Sequence, residues 1–391
     1  MSLNLPTGFV HTVGFIKEGH SKKQRRSRRI MKIALDAMGG DFAPRAVVEG
    51  ALLAAREIES SVILVGKKDE ITRELSQFGE MGKEKIDIVH ASQVVEMKEP
   101  IAKAIRKPDS SIKASAELVR RGEADAFVSM GHSGAVMALG MITLGKISGV
   151  ERPALCAVIP TLKGSAVLID VGANVDSKPI NLVQFAIMGE AFARIILERE
   201  NPKVGLLSNG EEEIKGNEIT KRTHSLLKEC SINYIGYVEG KDLLLGDIDI
   251  IVCDGFIGNI ILKMGEGFVE LLPKFIMKRA LGNSEIARYL PSLEEFEHLI
   301  REKFDYNEYG GAPLLGVKGI CIVGHGRSKA KAIKNAIRMA EEFIKRDLVN
   351  KVEKEFTAEA NACYVLSGEL QDRLRSPDWP WVLLQQVVLN G

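Results

Sequence analysis

Four short loops of this 391-residue chain place glycines beside polar side chains that can hold an anion or a carbonyl oxygen. They are SMGHSGA (129–135), IDVGANVDSKP (169–179), SNGEEEIKGNEITK (208–221) and CDGFIGNIILK (253–263). Gly-rich turns expose backbone amides, and amides beside lysine and asparagine suit phosphate and carbonyl oxygens. The candidate binding residues in these loops are Gly131, His132, Ser133, Gly134, Asp170, Gly172, Asn174, Lys178, Lys215, Asn217, Asp254, Gly258 and Asn259.

A fifth loop lies near the start of the chain, in DAMGGDFAP (36–44), where a short apolar strand ends and a helix begins. Asp36 ends the strand, and Gly39 and Gly40 permit backbone angles that a β-carbon would forbid. The amides at the start of the following helix favour an anion. An ordinary strand-to-helix turn has the same spacing, so this segment alone names no reaction.

The common nucleotide and nucleophile signatures do not occur. There is no GxxxxGK[ST], and VGHGRSKA (323–330) has Lys329 where GxGxxG needs a third glycine. No GxSxG elbow is present, and His132 lies beside Ser133 without an identifiable orienting acid. A lone histidine in such a turn more often bonds the backbone than acts as a base. Asp36, Asp170 and Asp254 could hold a divalent ion, but aspartates at these positions commonly cap helices.

The amino-acid composition bears on which partners and which cellular environment the protein has. Lys plus Arg (53) nearly balance Asp plus Glu (52), and the net charge of +1 does not support general nucleic-acid binding. The five cysteines are widely spaced, with no CxxC pair, and we interpret them as reduced residues of a cytosolic protein. They are Cys156, Cys230, Cys253, Cys321 and Cys363.

The order of apolar runs and helical patterns predicts the fold class. Val-, Ile- and Leu-rich runs alternate with helical patterns, which indicates a mostly parallel sheet covered by helices on both faces. Residues 153–170 differ, because two strands follow each other across a short turn at Lys163 and Gly164. This segment predicts a local antiparallel hairpin in a mixed sheet. The helical patterns lie at 43–58, 110–121, 133–147, 181–199, 212–229 and 328–348.

Other regions depart from the alternation. Residues 1–30 carry the basic run KKQRRSRR and predict a disordered leader, residues 31–356 a single domain, and residues 357–391 a tail without a predicted position. Residues 267–309 predict a helical excursion with apolar and basic residues interleaved. It either packs on the domain or on a second copy, or touches a membrane or an acidic protein. No run has the ~18–20 apolar residues that a membrane-spanning helix needs.

At these motifs the sequence closely resembles the bacterial phosphate acyltransferase (PlsX) family. The resemblance covers about 31–356 through DAMGGDFAP, SMGHSGA, RPAL, DVGANVDSKP, LVQFAIMG, KGNEITK, DGFIGN and YGGAPLLG. It implies a three-layer α/β/α domain similar to isocitrate and isopropylmalate dehydrogenases and to phosphotransacetylase. It also implies a homodimer and a cytoplasmic enzyme that associates peripherally with the membrane.

The resemblance implies a reaction in which a long acyl chain passes from acyl carrier protein to inorganic phosphate, giving acyl phosphate for phospholipid synthesis. No metal or organic cofactor is implied. Lys215, in KGNE, would hold phosphate or the developing oxyanion, and Asn259, in DGFIGN, would donate its amide to the thioester carbonyl. Many relatives have GNTGA where this chain has His132 and Ser133, and asparagine and neutral histidine can each donate one hydrogen bond to phosphate.

Acyl carrier protein is acidic, so its docking face should be locally basic. Candidates are Lys103, Arg106 and Lys107, or Lys274, Lys278 and Arg279, and either cluster could equally be a solvated helix face. Two alternative functions are compatible with the fold and loops. One is a phosphotransacetylase-type reaction on short acyl-coenzyme A. The other is a non-catalytic anion-binding or membrane scaffold.

Overall fold

The structure is a computed structural model that describes residues 29–281 and 310–367. Most of the predicted leader, the second part of the predicted helical excursion (282–309) and residues 368–391 lie outside the described residues.

The described residues form eleven strands and ten α-helices. The strands are β1 (Lys32–Asp36), β2 (Ser61–Gly66), β3 (Ile86–His90), β4 (Ala126–Ser129), β5 (Ala154–Thr161), β6 (Gly164–Ile169), β7 (Val204–Leu207), β8 (Tyr234–Val238), β9 (Ile250–Val252), β10 (Ala312–Leu315) and β11 (Ile320–Val323). The helices are α1 (Arg45–Ala55), α2 (Lys68–Ser76), α3 (Ile101–Ile105), α4 (Ser111–Arg120), α5 (Ser133–Leu144), α6 (Pro179–Ile196), α7 (Glu218–Leu227), α8 (Gly255–Leu281), α9 (Ala330–Lys345) and α10 (Leu348–Ser367).

All eleven strands join one sheet in the order β3-β2-β1-β4-β11-β10-β5-β6-β9-β7-β8. Most neighbours are parallel, as continuous buried runs of Val, Ile and Leu predict. The hairpin over 153–170 is confirmed as the antiparallel pair β5 and β6. Helices cover both faces of this mixed sheet, which confirms the predicted three-layer α/β/α fold class.

Strand β10 was not predicted, and it changes the direction of half the sheet. It pairs antiparallel with both β11 and β5, and β5 pairs antiparallel with β6. Three reversals therefore separate β11 from β6. Strands β6, β7, β8 and β9 run opposite to β1, β2, β3, β4 and β11, so the carboxyl ends of the two sets point in opposite directions.

The core has one layer on each face of the sheet. Helices α1, α6, α9 and α10 bury their apolar sides on one face, and α4 and α5 bury theirs on the other. Among the described residues, α6 alone has the length and hydropathy of a membrane span. Its residues 181–193 are buried against strands β6 and β9 and helix α10. We therefore assign α6 as a core helix of the domain.

One expectation about the cysteines was wrong. Cys230, just after α7, forms a disulfide with Cys363 in α10, with the two Cα atoms 4.4 Å apart and a sequence separation of 133. Cys156, Cys253 and Cys321 are free and buried, as expected. The sequence does not predict this disulfide, because only the packing of α10 brings these two residues together. Helix α10 also continues through Thr357–Ser367, with Ala360 and Cys363 in the core.

Candidate active site

The first group of candidate residues is built around the buried carboxylate of Asp36, at the end of β1. The Ser129 hydroxyl at the end of β4 donates to Asp36 Oδ2 at 2.7 Å, and the Met38 amide donates to Oδ1 at 3.1 Å. The Gly131 amide in turn donates to the Ser129 hydroxyl at 3.0 Å. Complete burial raises the pKa of Asp36, and the hydroxyl and amide donors oppose that rise. Asp36 thus orders two loops.

The glycines of this group allow the loops to approach closely. A β-carbon on Gly39 would lie 2.4 Å from Asp36 Oδ2 and 2.7 Å from the Gly131 amide nitrogen. Gly40 has a φ of +103° and packs against the carbonyl of Gly326 in the loop after β11. The Asp41 amide donates to that same carbonyl at 2.8 Å. The loops after β1, β4 and β11 therefore form one surface, the first loop group.

His132 caps helix α5 in this group. Its Nδ1 atom accepts a bond from the Ala135 amide at 3.3 Å, which is the backbone-bonding role considered for it. An accepting Nδ1 leaves the proton of a neutral imidazole on Nε2. Ser133 is the first residue of α5 and is exposed, while Gly134 lies against Ile101 of α3. His132 therefore keeps one donor beside the exposed start of a helix.

A second buried carboxylate, Asp170 at the end of β6, organises the other candidates. Its Oδ1 accepts from the amides of Leu155, Gly172 and Ala173 at 2.9, 3.2 and 3.0 Å. Its Oδ2 accepts from the amide and the side-chain nitrogen of Asn174 at 2.7 and 2.9 Å. Burial raises the pKa of Asp170, and these N–H donors favour the charged form and oppose the rise.

Helix α8 begins against the Asp170 loop. The Gly255 amide donates to the Asn174 carbonyl at 2.8 Å, and a β-carbon on Gly258 would lie only 1.9 Å from the Asp170 carbonyl oxygen. Asp254 caps the helix by accepting from the Ile257 amide at 2.9 Å, so it has the capping role. Asn259 is exposed, and Gly172 lies beside it within van der Waals distance.

Lys215 lies in the loop after β7, before α7. The stem of its side chain packs on Gly210, where a β-carbon would lie 2.7 Å from Lys215 Cγ. Asn209 accepts from the Gly216 amide at 2.8 Å, and Asn217 caps α7 by accepting from the Thr220 amide at 2.9 Å. Over the ranges 29–281 and 310–367, no acceptor bonds the Lys215 ammonium. The loop is fixed while the ammonium is left available.

The structure thus divides the candidates into two groups. Strands β6, β9 and β7 are adjacent and parallel, so the loops that carry Asp170, Asn259 and Lys215 leave the same edge and form the second loop group. Lys178, at the start of α6, is exposed and follows the same loop. The register Ala312 to Val323, Leu314 to Leu155 and Cys156 to Ile169 shows that the two groups begin at nearly the same level of the sheet.

Helix α8 connects the two groups. From Asn259 in the second group it runs to Glu266, whose Oε2 lies 3.9 Å from His325 Nε2 in the loop after β11. Lys263 donates to both carboxylate oxygens of Glu266, at 3.1 and 2.8 Å. Sequence reasoning missed all three residues. The available signals were the position of His325 directly after a strand and the spacing of Asn259, Lys263 and Glu266, which repeats with the helical period.

The aspartates do not gather into a metal site. Asp36 and Asp170 end strands that run in opposite directions, and their oxygens accept from N–H and O–H donors, while Asp254 caps α8. Within the described ranges no group of three His, Cys, Asp or Glu side chains could hold a metal ion. The arrangement instead offers amides, an amide side chain and lysines, which suit an anion and a carbonyl oxygen.

Comparison with known proteins agrees with this chemistry. Residues 31–351 match the family described as "Fatty acid synthesis protein". A phosphate acyltransferase of Geobacter sulfurreducens is 48% identical over 335 residues, which are 84% of this chain and 96% of that protein. One of Pelotomaculum thermopropionicum is 49% identical over 82% of this chain and 94% of that protein. The sequence resemblance to phosphate acyltransferases is therefore confirmed.

Solved structures agree with the fold. A phosphotransacetylase from Streptococcus pyogenes has a TM-score of 0.56 at 16% identity, covering 81% of this chain and 94% of that one. A branched-chain phosphotransacylase from Enterococcus faecalis has a TM-score of 0.50 at 15% identity, covering 81% and 99%. At these identities the likeness concerns the fold alone.

The contact of Gly258 with the Asp170 carbonyl generates a stability prediction. Gly258→Ala should lower the free energy of unfolding by roughly 1–3 kcal/mol, because the added methyl overlaps backbone that cannot move independently. Gly265→Ala is the matched control in the same helix, where a β-carbon meets open space. It should be neutral or stabilise by up to about 1 kcal/mol. Urea unfolding followed by circular dichroism measures both, and equal stability of the two variants would contradict the packing.

Proposed function

Because this chain belongs to the fatty acid synthesis protein family and is a phosphate acyltransferase, we propose that its acyl donor is a long-chain fatty acyl group on acyl carrier protein. The acceptor is inorganic phosphate, and the product is an acyl phosphate for phosphatidic acid synthesis. The observation that carries the proposal is the match of residues 31–351 to a family described by fatty acid synthesis, in which the growing chain is held as a carrier thioester.

The reaction needs no nucleophile from the protein. A phosphate oxygen attacks the thioester carbonyl carbon, the carbonyl oxygen becomes negative, and the carbon–sulfur bond then breaks. The sulfur leaves as a thiolate and takes up the proton that hydrogen phosphate gives up. The protein must therefore hold a dianion against the carbonyl and stabilise the oxygen that becomes negative.

The second loop group supplies donors for the carbonyl side of the reaction. Asn259 is exposed beside Gly172, so a carbonyl oxygen can approach its amide without displacing a side chain. Lys215 presents an ammonium with no acceptor bonded to it in the ranges described above. In this proposal Asn259 donates to the thioester carbonyl, and Lys215 stabilises the negative oxygen or the phosphate.

The first loop group supplies the exposed start of α5 at Ser133 and one histidine for anion binding. Gly39, Gly40 and Gly131 bring the backbones of three loops together, and His132 keeps a donor at Nε2. The Asp36 carboxylate already accepts hydrogen bonds that hold these loops, so it is not available to a substrate. We assign these residues to substrate binding and the positioning of loops.

Helix α3 is the better supported of the two basic clusters for docking an acidic carrier. Ile101 of α3 packs on Gly134, so Lys103 and Arg106 stand beside the first loop group and are exposed. Lys107 is bound to Glu99 and to the Val94 carbonyl, both at 2.6 Å, whereas Lys103 lies 3.6 Å from the same Glu99 carboxylate and its side chain is 74% exposed. Lys274 and Lys278 are exposed farther along α8. We therefore assign docking to Lys103 and Arg106.

Association with a second copy and with a membrane is also part of the proposal. Helix α8 carries an exposed apolar stripe of Ile260, Met264, Phe268, Leu271 and Phe275, with Met264 72% exposed and Leu271 63% exposed. These positions recur every three or four residues, so they share one side of the helix. A stripe of this length supports homodimerisation through α8 and peripheral membrane contact near 267–309 in a cytoplasmic enzyme.

The donor can be tested directly. With inorganic phosphate present, palmitoyl-acyl carrier protein should yield free carrier and palmitoyl phosphate, while acetyl-coenzyme A should give at least ~100-fold lower kcat/KM. Mass spectrometry of the carrier measures its deacylation, with omission of phosphate as the control. Preference for acetyl-coenzyme A would instead support the phosphotransacetylase-type reaction on short acyl groups.

The two catalytic assignments can be tested in the same assay. Lys215→Ala and Asn259→Ala should each lower kcat by about 10²–10³, the usual effect of removing one oxyanion donor. Lys221→Ala on α7 and Asn350→Ala at the start of α10 are matched controls on the surface and should keep near-normal turnover. Normal turnover in Lys215→Ala or Asn259→Ala, with the fold intact, would remove that residue from the mechanism.

Charge reversal tests the docking surface. Lys103→Glu with Arg106→Glu should raise the KM for the acylated carrier at least ~10-fold at low salt and leave the KM for phosphate unchanged, because the partner is acidic. The matched control is Arg120→Glu with Arg121→Glu, two exposed arginines at the end of α4 that pair with Glu117 and Glu123. Equal KM values for the two double variants would move the docking surface elsewhere.

A further inference from the structure

Helix α8 presents a polar face to the loops of the site. Asn259, Lys263 and Glu266 are spaced i, i+4 and i+7, so they share one face of the helix, hereafter the bridge face. The apolar stripe of Met264, Phe268 and Leu271 lies on a different side. The rise of 1.5 Å per residue puts Lys263 about 6 Å along the axis from Asn259, in the direction of the first loop group.

The bridge face extends from one loop group to the other. At one end Asn259 lies beside Gly172, and at the other Glu266 approaches His325 at 3.9 Å. The Glu266 side chain is 17% exposed and the Lys263 side chain 45% exposed. The Lys263 ammonium is therefore held by a mostly buried carboxylate, and nearly half of the lysine side chain is open to solvent. Lysine has three N–H donors, and both bonds observed here go to the same carboxylate.

The position of Lys263 differs from that of Lys215. Strand β7, which precedes Lys215, lies five strand spacings from β11, about 24 Å in a flat sheet. Lys263 is instead next to the loop after β11, through Glu266 and His325. The first loop group includes the exposed start of α5 at Ser133, beside His132. A phosphate dianion bound there needs a cation, and Lys263 is placed to provide one.

We propose that Lys263 is a substrate-binding residue that contacts inorganic phosphate during acyl transfer, with Glu266 and His325 as positioning residues. The inference rests on the phosphate acyltransferase activity and not on which acyl donor is used. Phosphate draws the Lys263 ammonium toward the first loop group, one helical turn from the amide of Asn259. The phosphate oxygen and the thioester carbonyl are then held by successive turns of the same helix.

The charged surroundings of His325 make its pKa sensitive to whether phosphate is bound at this site. Its Nδ1 accepts from the Arg327 amide at 3.1 Å, and the charged groups near it among the described residues include Lys263, Glu266, Arg327 and Asp41. Burial, followed by Lys263 and Arg327, lowers the pKa of His325, and the carboxylates of Glu266 and Asp41 oppose that shift. A bound phosphate dianion would raise that pKa, and removal of the Glu266 charge would lower it further.

The kinetic test uses the full chain and varies the phosphate concentration at a saturating concentration of the acylated carrier. Lys263→Met should raise the KM for phosphate at least ~10-fold with little change in the KM for the acylated carrier, and Lys263→Arg should recover part of the loss. Lys334→Met is the matched control, because this α9 lysine also pairs with a glutamate, Glu57, at 3.1 Å. A higher KM for the carrier alone would overturn the proposal, because Lys263 would then contact the donor.

A binding test separates this inference from the proposed acyl donor. In the absence of any thioester, NMR titration of the His325 ring should show a higher pKa with inorganic phosphate than with chloride at equal ionic strength. Lys263→Met should abolish that phosphate-dependent shift, and Glu266→Gln should lower the pKa in both salts. A phosphate-independent pKa in the wild type would overturn the inference. The same NMR readout holds even if the carrier thioester is not a substrate.

Discussion

The buried carboxylate of Asp170 is the constraint on which the second loop group depends. A carboxylate without water needs donors for both oxygens, and here five N–H groups from Leu155, Gly172, Ala173 and Asn174 converge on it. These donors come from the start of β5 and from the loop after β6. Asn174 connects this loop to α8, because its carbonyl accepts from the Gly255 amide at the start of that helix. One side chain thereby fixes the direction in which α8 leaves the sheet.

Asp36 uses the same chemistry in the first loop group. It too ends a strand and is fully buried, and it spends its oxygens on Ser129 and on backbone amides. In both places glycines make the approach possible: Gly39 and Gly131 around Asp36, and Gly258 behind Asp170. The most recognisable acidic residues of the sequence therefore order the loops from inside, and the proposed substrate contacts fall to Asn259 and lysines.

The sequence predicted the local elements well, because long Val- and Ile-rich runs and helical periods are local signals. It also predicted the β5–β6 hairpin, since a Lys-Gly turn between two apolar runs is specific. It did not predict β10, four residues whose strand state depends on having β5 and β11 as neighbours. Without β10, the loops after all parallel strands would be expected at one edge. The division into two groups, the Cys230–Cys363 pair and the Glu266–His325 contact all join residues distant in sequence, which composition and spacing do not encode.

Helix α8 links the two loop groups, which the reversal of strand direction separates. The two loop groups follow strands of opposite direction, and β11 and β6 lie three spacings apart, about 14 Å in a flat sheet. They can act on one pair of substrates only if an element spans the strands between them. Helix α8 is anchored in the second group by Gly258 and reaches the first through Glu266. Its bridge face and its apolar stripe lie on different sides of the same helix. Any surface that covers the stripe therefore also restrains the bridge face, because an α-helix transmits a shift of one side to the other. In this arrangement, the association proposed for α8 and the placement of Asn259 and Lys263 depend on the same helix.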